Sequence, residues 1–490
     1  MKPACRLLLV EDDRAEARSI EKRCCSDPGA AVIDVVADVK AAADAVDEHD
    51  YDLIICDLAL PSDDRNLDPD VQEGLRLFAL IRERAPGTPV IILSGNLSQQ
   101  ILQSFLRMSR SADIYGRRTE EPLVVACDKE ELSAFIELVQ THIARTKALD
   151  SLDLEGDVDL SVSDARALRI YGRRLGAVSA QIETLSGGLS GSRTLRVSYR
   201  DPEHKAIGSV VVKVGALGRV ISEADRYHTI EAKMPVGLGA HVLDVVQAGA
   251  GRRGALVYQL ADEYTDSMFG LLDKRSPVAA AATSRLADRM KAWVRESPEA
   301  VETLAQMRRR LITDEEVLEA ETELPDDREI EVSVRQTRAH GDMHGLNVLV
   351  NGQGEPTLID YGEVMSANGA LDPVTLELSI LYHPAIAGRL DGWPSVEQAR
   401  AWSDLDSYCE GCPVEDFVRA CRTWAVEVSA GHGEILASAY AYSMRQVKYR
   451  DGASELALHV AQGCLGTISG GATYTLLQVD RGGTIASDST

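Results

Sequence analysis

The chain has no uninterrupted apolar run of about 18 residues, the length a membrane-spanning helix needs, so no transmembrane segment is expected. Its opening, MKPACRLLLVEDD, has too short an apolar stretch, and acids follow too early, for a secretory signal. Positive charge is scarce: 52 Lys and Arg stand against 77 Asp and Glu, a formal net charge of −25. A surface of that sign repels phosphate backbones and anionic headgroups, so neither a nucleic-acid nor a membrane partner is expected. Cysteine is sparse too, nine in 490 residues. An odd number without secretory context predicts a reduced, cytoplasmic protein. Cys409 and Cys412 form a lone CxxC with no second pair at zinc spacing, so packing or surface roles are expected for them. A hydrophobic fraction of 45% is ordinary, and the length predicts two to four domains.

What is present begins with alternating strands and helices. Leu7 to Val10, Ala31 to Val36, Leu53 to Cys56, Val90 to Leu93 and Leu123 to Cys127 read as five strands, with helical spacing over Arg14 to Cys24 and Val39 to Glu48. That alternation predicts a parallel sheet. In such a sheet the carboxyl ends of the strands gather at one edge, here with Glu11, Asp12, Asp57, Ser94 and Lys129. Three carboxylates together call for a cation, and oxygen ligands suit Mg²⁺. An aspartate beside Mg²⁺ can attack a phosphoryl group and form an acyl phosphate.

These residues resemble the response-regulator receiver family over residues 5–147. The resemblance implies a flavodoxin-like (βα)5 fold with Asp57 as phosphoacceptor. It implies Glu11, Asp12 and Asp57 as metal ligands, Ser94 and Lys129 as switch residues, and a histidine kinase or small phosphodonor as partner. Three departures point to a non-standard output surface. Glu130 replaces the proline after the lysine, Ala126 replaces the aromatic switch residue, and a long acidic loop follows Asp57 from Pro61 through Glu73. Residues 1–147 are taken as this domain. Residues 148–178 are read as an acidic connector and linking helix, with Asp164 expected to cap the helix.

From residue 179 the pattern changes. Gln181 to Leu185 and Thr194 to Tyr199 read as strands around a glycine- and serine-rich turn containing Gly187, Gly188, Ser190 and Gly191. Such a turn lets backbone N–H groups approach phosphates, and a simple tight hairpin reads the same way. Ser209 to Val214 is a β-run with Lys213 inside it, and a lysine there needs a partner. Glu223 and Glu231 both follow on a helical segment. Ala255 to Leu260 reads as a further strand that leads into a hinge near Gln259 to Ala261.

Residues 276–323 read as mostly helical. Then comes His340-Gly341-Asp342-Met343-His344-Gly345-Leu346-Asn347, with Ile359-Asp360-Tyr361-Gly362 after it. Val348 to Val350 and Thr357 to Ile359 flank Asn351-Gly352-Gln353-Gly354, a hairpin signature that places Asn347 and Asp360 on adjacent strand ends. At this spacing Asp342 can accept a hydroxyl proton while Asn347 and Asp360 hold Mg²⁺ against nucleotide phosphates. The segment resembles the aminoglycoside phosphotransferase and choline kinase branch of the protein-kinase-like fold.

That resemblance implies a bilobal domain, with a small lobe at 179–262 and a large lobe at 263–477. It implies that Lys213, paired with Glu223 or alternatively Glu231, contacts the phosphates of ATP or GTP. Asp342 is then the catalytic residue. His340 takes a structural place, and zinc at His340 and His344 is disfavoured for want of a third soft ligand. Asp372 is expected to cap the helix that opens with Pro373, and residues 478–490 read as a disordered end.

The composite expectation is a receiver-regulated, Mg²⁺- and nucleotide-dependent phosphotransferase acting on a hydroxyl acceptor, either a small molecule or a protein. A homodimer is compatible with it. The alternative is a nucleotide-binding scaffold without turnover.

Overall fold

The computed structural model describes residues 5–24, 29, 31–63, 68–95, 110–187, 192–231, 234, 238–259, 264, 266–294, 297–320, 322–449 and 452–470. The chain forms two compact units. One comprises residues 1–225 with 241–261, and the other 226–240 with 262–490.

The first unit opens with a five-stranded sheet. Strands Cys5–Val10, Ala31–Val36, Leu53–Asp57, Val90–Ser94 and Val124–Asp128 pair in parallel in the order 2-1-3-4-5. This is the flavodoxin-like arrangement the sequence predicts. The central strands Leu53–Asp57 and Val90–Ser94 read as continuous apolar runs because both their faces are covered. Leu8, Val10, Ile54 and Ile92 pack on one side with Phe78 and Ile81 of helix Val71–Arg84. Leu7, Leu9, Ile55 and Leu93 pack on the other with Ile20 of helix Arg14–Cys24 and Phe135 and Val139 of helix Leu132–Leu149.

A six-stranded sheet follows in the same unit. Strands Asp153–Glu155, Ser179–Gly187, Arg193–Arg200, Ala206–Ala216, Arg253–Gln259 and Val242–Val246 lie side by side in that order. All pair antiparallel except Asp153–Glu155, which runs parallel to Ser179–Gly187. Alternation along Ala206–Ala216 sends Val210, Val212 and Val214 into a core shared with Ala167, Leu168 and Ile170 of helix Val162–Arg174. Lys213 therefore faces the opposite side.

Two expectations change here. Residues Asp153–Glu155 are an edge strand, so the segment read as a connector contributes to this sheet. Ser161, not Asp164, caps the helix, its Oγ accepting the Asp164 N–H at 3.0 Å. Strand Val242–Val246 was not anticipated from the sequence, and it exists by pairing with Arg253–Gln259.

The second unit is mainly helical, with helices Val278–Val294, Leu371–Tyr382, Glu415–Val428, His432–Arg445 and Gly452–Gly470. It carries the expected hairpin of Val348–Val350 and Pro356–Leu358. Glu299–Thr303, read as helical, is instead a strand against Glu331–Ala339, which pairs in turn with Met365–Asn368. Pairing across about 30 residues overrides the local helical preference. Asp372 is not a cap: the helix starts at Leu371 after Ala370, which places Asp372 in its first turn. Among the described residues, no helix is long and apolar enough to cross a membrane.

Candidate phosphoacceptor site and candidate transfer site

The parallel order of the first sheet brings its strand ends together. Glu11 and Asp12 leave the first strand, Asp57 ends the third, Ser94 ends the fourth, and Lys129 follows the fifth. Lys129 Nζ lies 2.8 Å from Glu11 Oε2, 2.9 Å from Asp57 Oδ2 and 3.0 Å from Glu16 Oε2. One carboxylate oxygen from each of Glu11, Asp12 and Asp57 falls within 4.8 Å of the others. Asp57 Oδ1 accepts the Leu58 N–H at 2.6 Å, which leaves Oδ2 toward the lysine. Ser94 is buried one step past Leu93, the parallel register partner of Asp57.

Burial raises the Glu11 carboxyl above its ordinary range, only partly offset by Lys129. For Lys129, burial works against the charge, but its bonds to Glu11 and Asp57 prevail and hold it well above the usual lysine range. The three hard oxygen donors of Glu11, Asp12 and Asp57, this close together, fit a divalent cation such as Mg²⁺. Glu16 is the participant that the sequence reading missed. An acid in the first turn of the helix after the strand-end acids was the available signal.

On the far face of the six-stranded sheet, helix Leu217–Glu231 brings Glu223 to Lys213, with Oε2 2.7 Å from Nζ. Tyr258, from the adjacent strand, donates its hydroxyl to Glu223 Oε1 at 2.5 Å. The contact thus falls to Glu223; Glu231 ends the same helix eight residues on. Gly187 closes its strand opposite Arg193. Gly188, Ser190 and Gly191 lie outside the described residues, as do the hinge positions 260 and 261.

The second unit holds the other expected residues. The loop at Asp342 is fixed from beneath by Asp372, whose carboxylate accepts His340 N–H at 2.8 Å and Gly341 N–H at 3.1 Å. Gly341 has φ +80°, and a Cβ there would lie 2.2 Å from the Glu363 carbonyl oxygen. His340 Nε2 is 3.1 Å from the Ile359 carbonyl, and its ring packs on Tyr361. Asn347 is buried and donates Nδ2–H to the Asp342 carbonyl at 2.9 Å. Its own carbonyl accepts Ile359 N–H at 3.1 Å, so the hairpin places Asn347 and Asp360 on neighbouring strand ends. Asp360 has φ +66°, a left-handed conformation that costs an aspartate energy and is retained most often where function requires it. Two oxygen-bearing side chains held this way fit Mg²⁺.

Asp342 has its own neighbours. Oδ1 lies 3.3 Å from Arg445 Nη1 and Oδ2 lies 3.6 Å from His344 Nε2. Burial acts to raise the Asp342 carboxyl, but His344, Arg445 and the other imidazoles prevail and hold it below the usual range. Burial lowers His344 in spite of Asp342 and pushes His383 down to about 4. The rings of His344 and His383 lie 4.6 Å apart, with Phe269 beside both. Arg445 and His383 come from distant helical segments, and no spacing signal marks them. Cys409 is buried, Cys412 is half-buried, and both are free thiols.

Residues 7–112 match the family model described as the response regulator receiver domain. No curated protein matches the chain. Among solved structures, it is similar to a CheY-like response regulator receiver domain protein from Methanospirillum hungatei JF-1. That pair is 16% identical, covering 30% of this chain and 99% of the other, with a TM-score of 0.22. It is also similar to amicoumacin kinase hAmiN in complex with AMP-PNP, Ca²⁺ and Ami, at 13% identity over 59% of this chain and 88% of the other, TM-score 0.32. A third is a thermostable mutant of aminoglycoside phosphotransferase APH(4)-Ia, at 17% identity over 59% of this chain and 94% of the other, TM-score 0.31. The family match assigns residues 7–112, and those residues alone, to the response regulator receiver family.

Proposed function

We propose that the chain is a receiver-regulated phosphotransferase that moves the γ-phosphoryl group of ATP or GTP to a hydroxyl acceptor. The observation that carries this reading is the fixed Asp342 loop, with Asn347 bonded to it and Asp360 strained on the next strand end. Asp342 orients the acceptor hydroxyl and takes its proton. A bond forms from the acceptor oxygen to the γ-phosphorus, and the bond from that phosphorus to the β,γ-bridging oxygen breaks. The nucleoside diphosphate leaves with the electron pair. Lys213, held by Glu223, binds the nucleotide phosphates, and backbone near Gly187 to Gly191 contributes N–H groups. Asn347 and Asp360 would hold Mg²⁺, which neutralises phosphate charge when bound.

At the receiver, an Asp57 oxygen attacks the phosphorus of a phosphohistidine or a small acyl phosphate. The donor's bond to phosphorus breaks, and its leaving group takes the electron pair. Glu11, Asp12 and Asp57 would hold Mg²⁺ for that step, with Lys129 and Ser94 contacting the new phosphoryl oxygens.

A second reading, a nucleotide-binding scaffold switched at Asp57, is favoured by one observation. Arg445 sits on the carboxylate that would act as base. The two separate by experiment: γ-phosphate release and transfer from Mg-ATP and Mg-GTP across a panel of hydroxylated acceptors, beside Asp342→Asn. Turnover that needs Asp342 supports the phosphotransferase. Tight nucleotide binding without turnover across the panel supports the scaffold.

A further inference from the structure

Within the first unit, the receiver meets the six-stranded sheet at the end of its own sheet remote from Asp57. Strand Leu53–Asp57 has Asp57 at its carboxyl end, and Asp52 immediately precedes it. Five residues of strand separate the two by about 17 Å. At the Asp52 end, Arg166 of helix Val162–Arg174 reaches back to both Asp52 and Asp150, the latter at 3.0 Å. All three side chains are less than one-tenth exposed. The backbones also close on each other. Gly249 donates its N–H to the Gly87 carbonyl at 3.0 Å, and a Cβ on Gly249 would stand 2.4 Å from the Ile114 carbonyl. Ile114, Tyr115 and Leu123 share a small apolar core with Ala248. A glycine at φ +84°, a buried arginine bracket and a common core describe a built junction, not a flexible tether.

A phosphoryl group on Asp57 is too far from this junction to touch it, so an element spanning the sheet has to carry the signal. Helix Leu132–Leu149 has the span for it. It begins just after Lys129, which bonds Asp57, and Asp150 is its C-cap. Its 18 residues cover about 27 Å. Beyond Asp150 the contacts continue without a gap. Arg166 lies on the same helix as Asp164, whose carboxylate pairs with Arg253 at 2.8 Å. Arg253 opens the strand that carries Tyr258, and Tyr258 bonds Glu223, the partner of Lys213. The missing aromatic at Ala126 and missing proline at Glu130 fit an output through the helix end in place of the usual switch face.

We propose that the state of Asp57 sets the geometry of the Lys213–Glu223 pair through helix Leu132–Leu149, the Asp150–Arg166 bracket and the Asp164–Arg253 pair. This rests on the phosphotransferase reading for the meaning of Lys213, but the coupling can be measured without it.

The experiment uses the full chain with and without acetyl phosphate and Mg²⁺. It follows three readouts: acyl-phosphate labelling, affinity for Mg-AMP-PNP, and hydrogen exchange in segments 217–231 and 253–259. In the wild type, labelling changes nucleotide affinity by about fivefold or more and shifts exchange in both segments. Asp57→Asn abolishes all three effects. Asp150→Asn still labels at Asp57 but loses the other two. Arg253→Lys, which leaves the receiver untouched, behaves the same way and decides the matter if Asp150→Asn does not fold.

The coupling is overturned if the variants keep the wild-type response. It is equally overturned if the wild type labels with no change in affinity or exchange, or does not label at all. If AMP-PNP does not bind, yet exchange still responds to labelling in an Asp150-dependent way, the coupling stands and the phosphotransferase reading falls.

Discussion

The carboxylate of Asp372 accepts the N–H of Gly341 at 3.1 Å, one residue before Asp342. The same carboxylate takes His340 N–H at 2.8 Å, so two buried backbone donors depend on it. Asp372→Ala strands both and is expected to cost about 2–4 kcal/mol of stability. Asp372→Asn keeps one acceptor oxygen and recovers part of that. Chemical denaturation of the two variants checks the order. Equal stability for Ala and Asn would show that these bonds do not hold the loop.

Asp342 has a narrower expected effect. Asp342→Asn keeps the shape of the loop, because the bonds that fix it come from the backbone and from Asn347. Transfer is expected to fall by about 10²–10⁴-fold with nucleotide affinity retained. Single-turnover kinetics beside equilibrium binding separate the two quantities. A parallel loss of both would place Asp342 in nucleotide binding.

Tyr258 holds the acid that holds the lysine. Tyr258→Phe removes the hydroxyl that bonds Glu223 Oε1 at 2.5 Å, and the remaining ring fills the same buried space. A hydrogen bond to a charged group contributes about 1.5–3 kcal/mol. The expected result is a raised KM for nucleotide with little change in kcat, read from steady-state kinetics once an acceptor is found. An unchanged KM would mean that Glu223 is held well enough by its other contacts.

The junction has a pH signature. His142 is buried, Tyr115 lies on its Nδ1 at 2.6 Å, and burial brings its imidazole down to about 4 from 6.5. A folded-state value below the unfolded one means that protonation favours unfolding. The stabilisation is complete above pH 6.5 and is lost as pH falls through 4. At its full extent the loss is on the order of 3 kcal/mol. Denaturation midpoints at pH 7 and pH 4.5, wild type against His142→Phe, test it. The variant is expected to show a shallower pH dependence; identical slopes would acquit His142.

Metal dependence at the receiver follows from its ligand set. Asp12→Asn removes one of the three carboxylates while leaving the Lys129 bonds to Glu11 and Asp57. Acyl-phosphate labelling is expected to require more Mg²⁺ in the variant and to vanish with chelator in both proteins. Labelling that persists in chelator would remove the metal from the chemistry.

Residues with a fixed local spacing were legible before any fold was known. Four of the five receiver strands lead directly into chemistry-bearing residues, and parallel pairing gathers those ends whatever the details of the helices. The Asn347 and Asp360 strand ends follow from a turn of fixed length between two short apolar runs. Lys213 stood out because an apolar strand does not keep an unpaired ammonium. The choice between Glu223 and Glu231, however, needed the helix to be placed.

Other features rest on partners far away in sequence. Glu299–Thr303 reads as helix and becomes strand because Glu331–Ala339 lies beside it. Arg445 reaches Asp342 across 103 residues, and Arg166 reaches Asp52 across 114. Chain chemistry alone determined which side chains can handle a phosphoryl group. The tertiary structure decided which cation sits on which carboxylate, because long-range ion pairs depend on where helices pack and leave no periodic trace in the sequence.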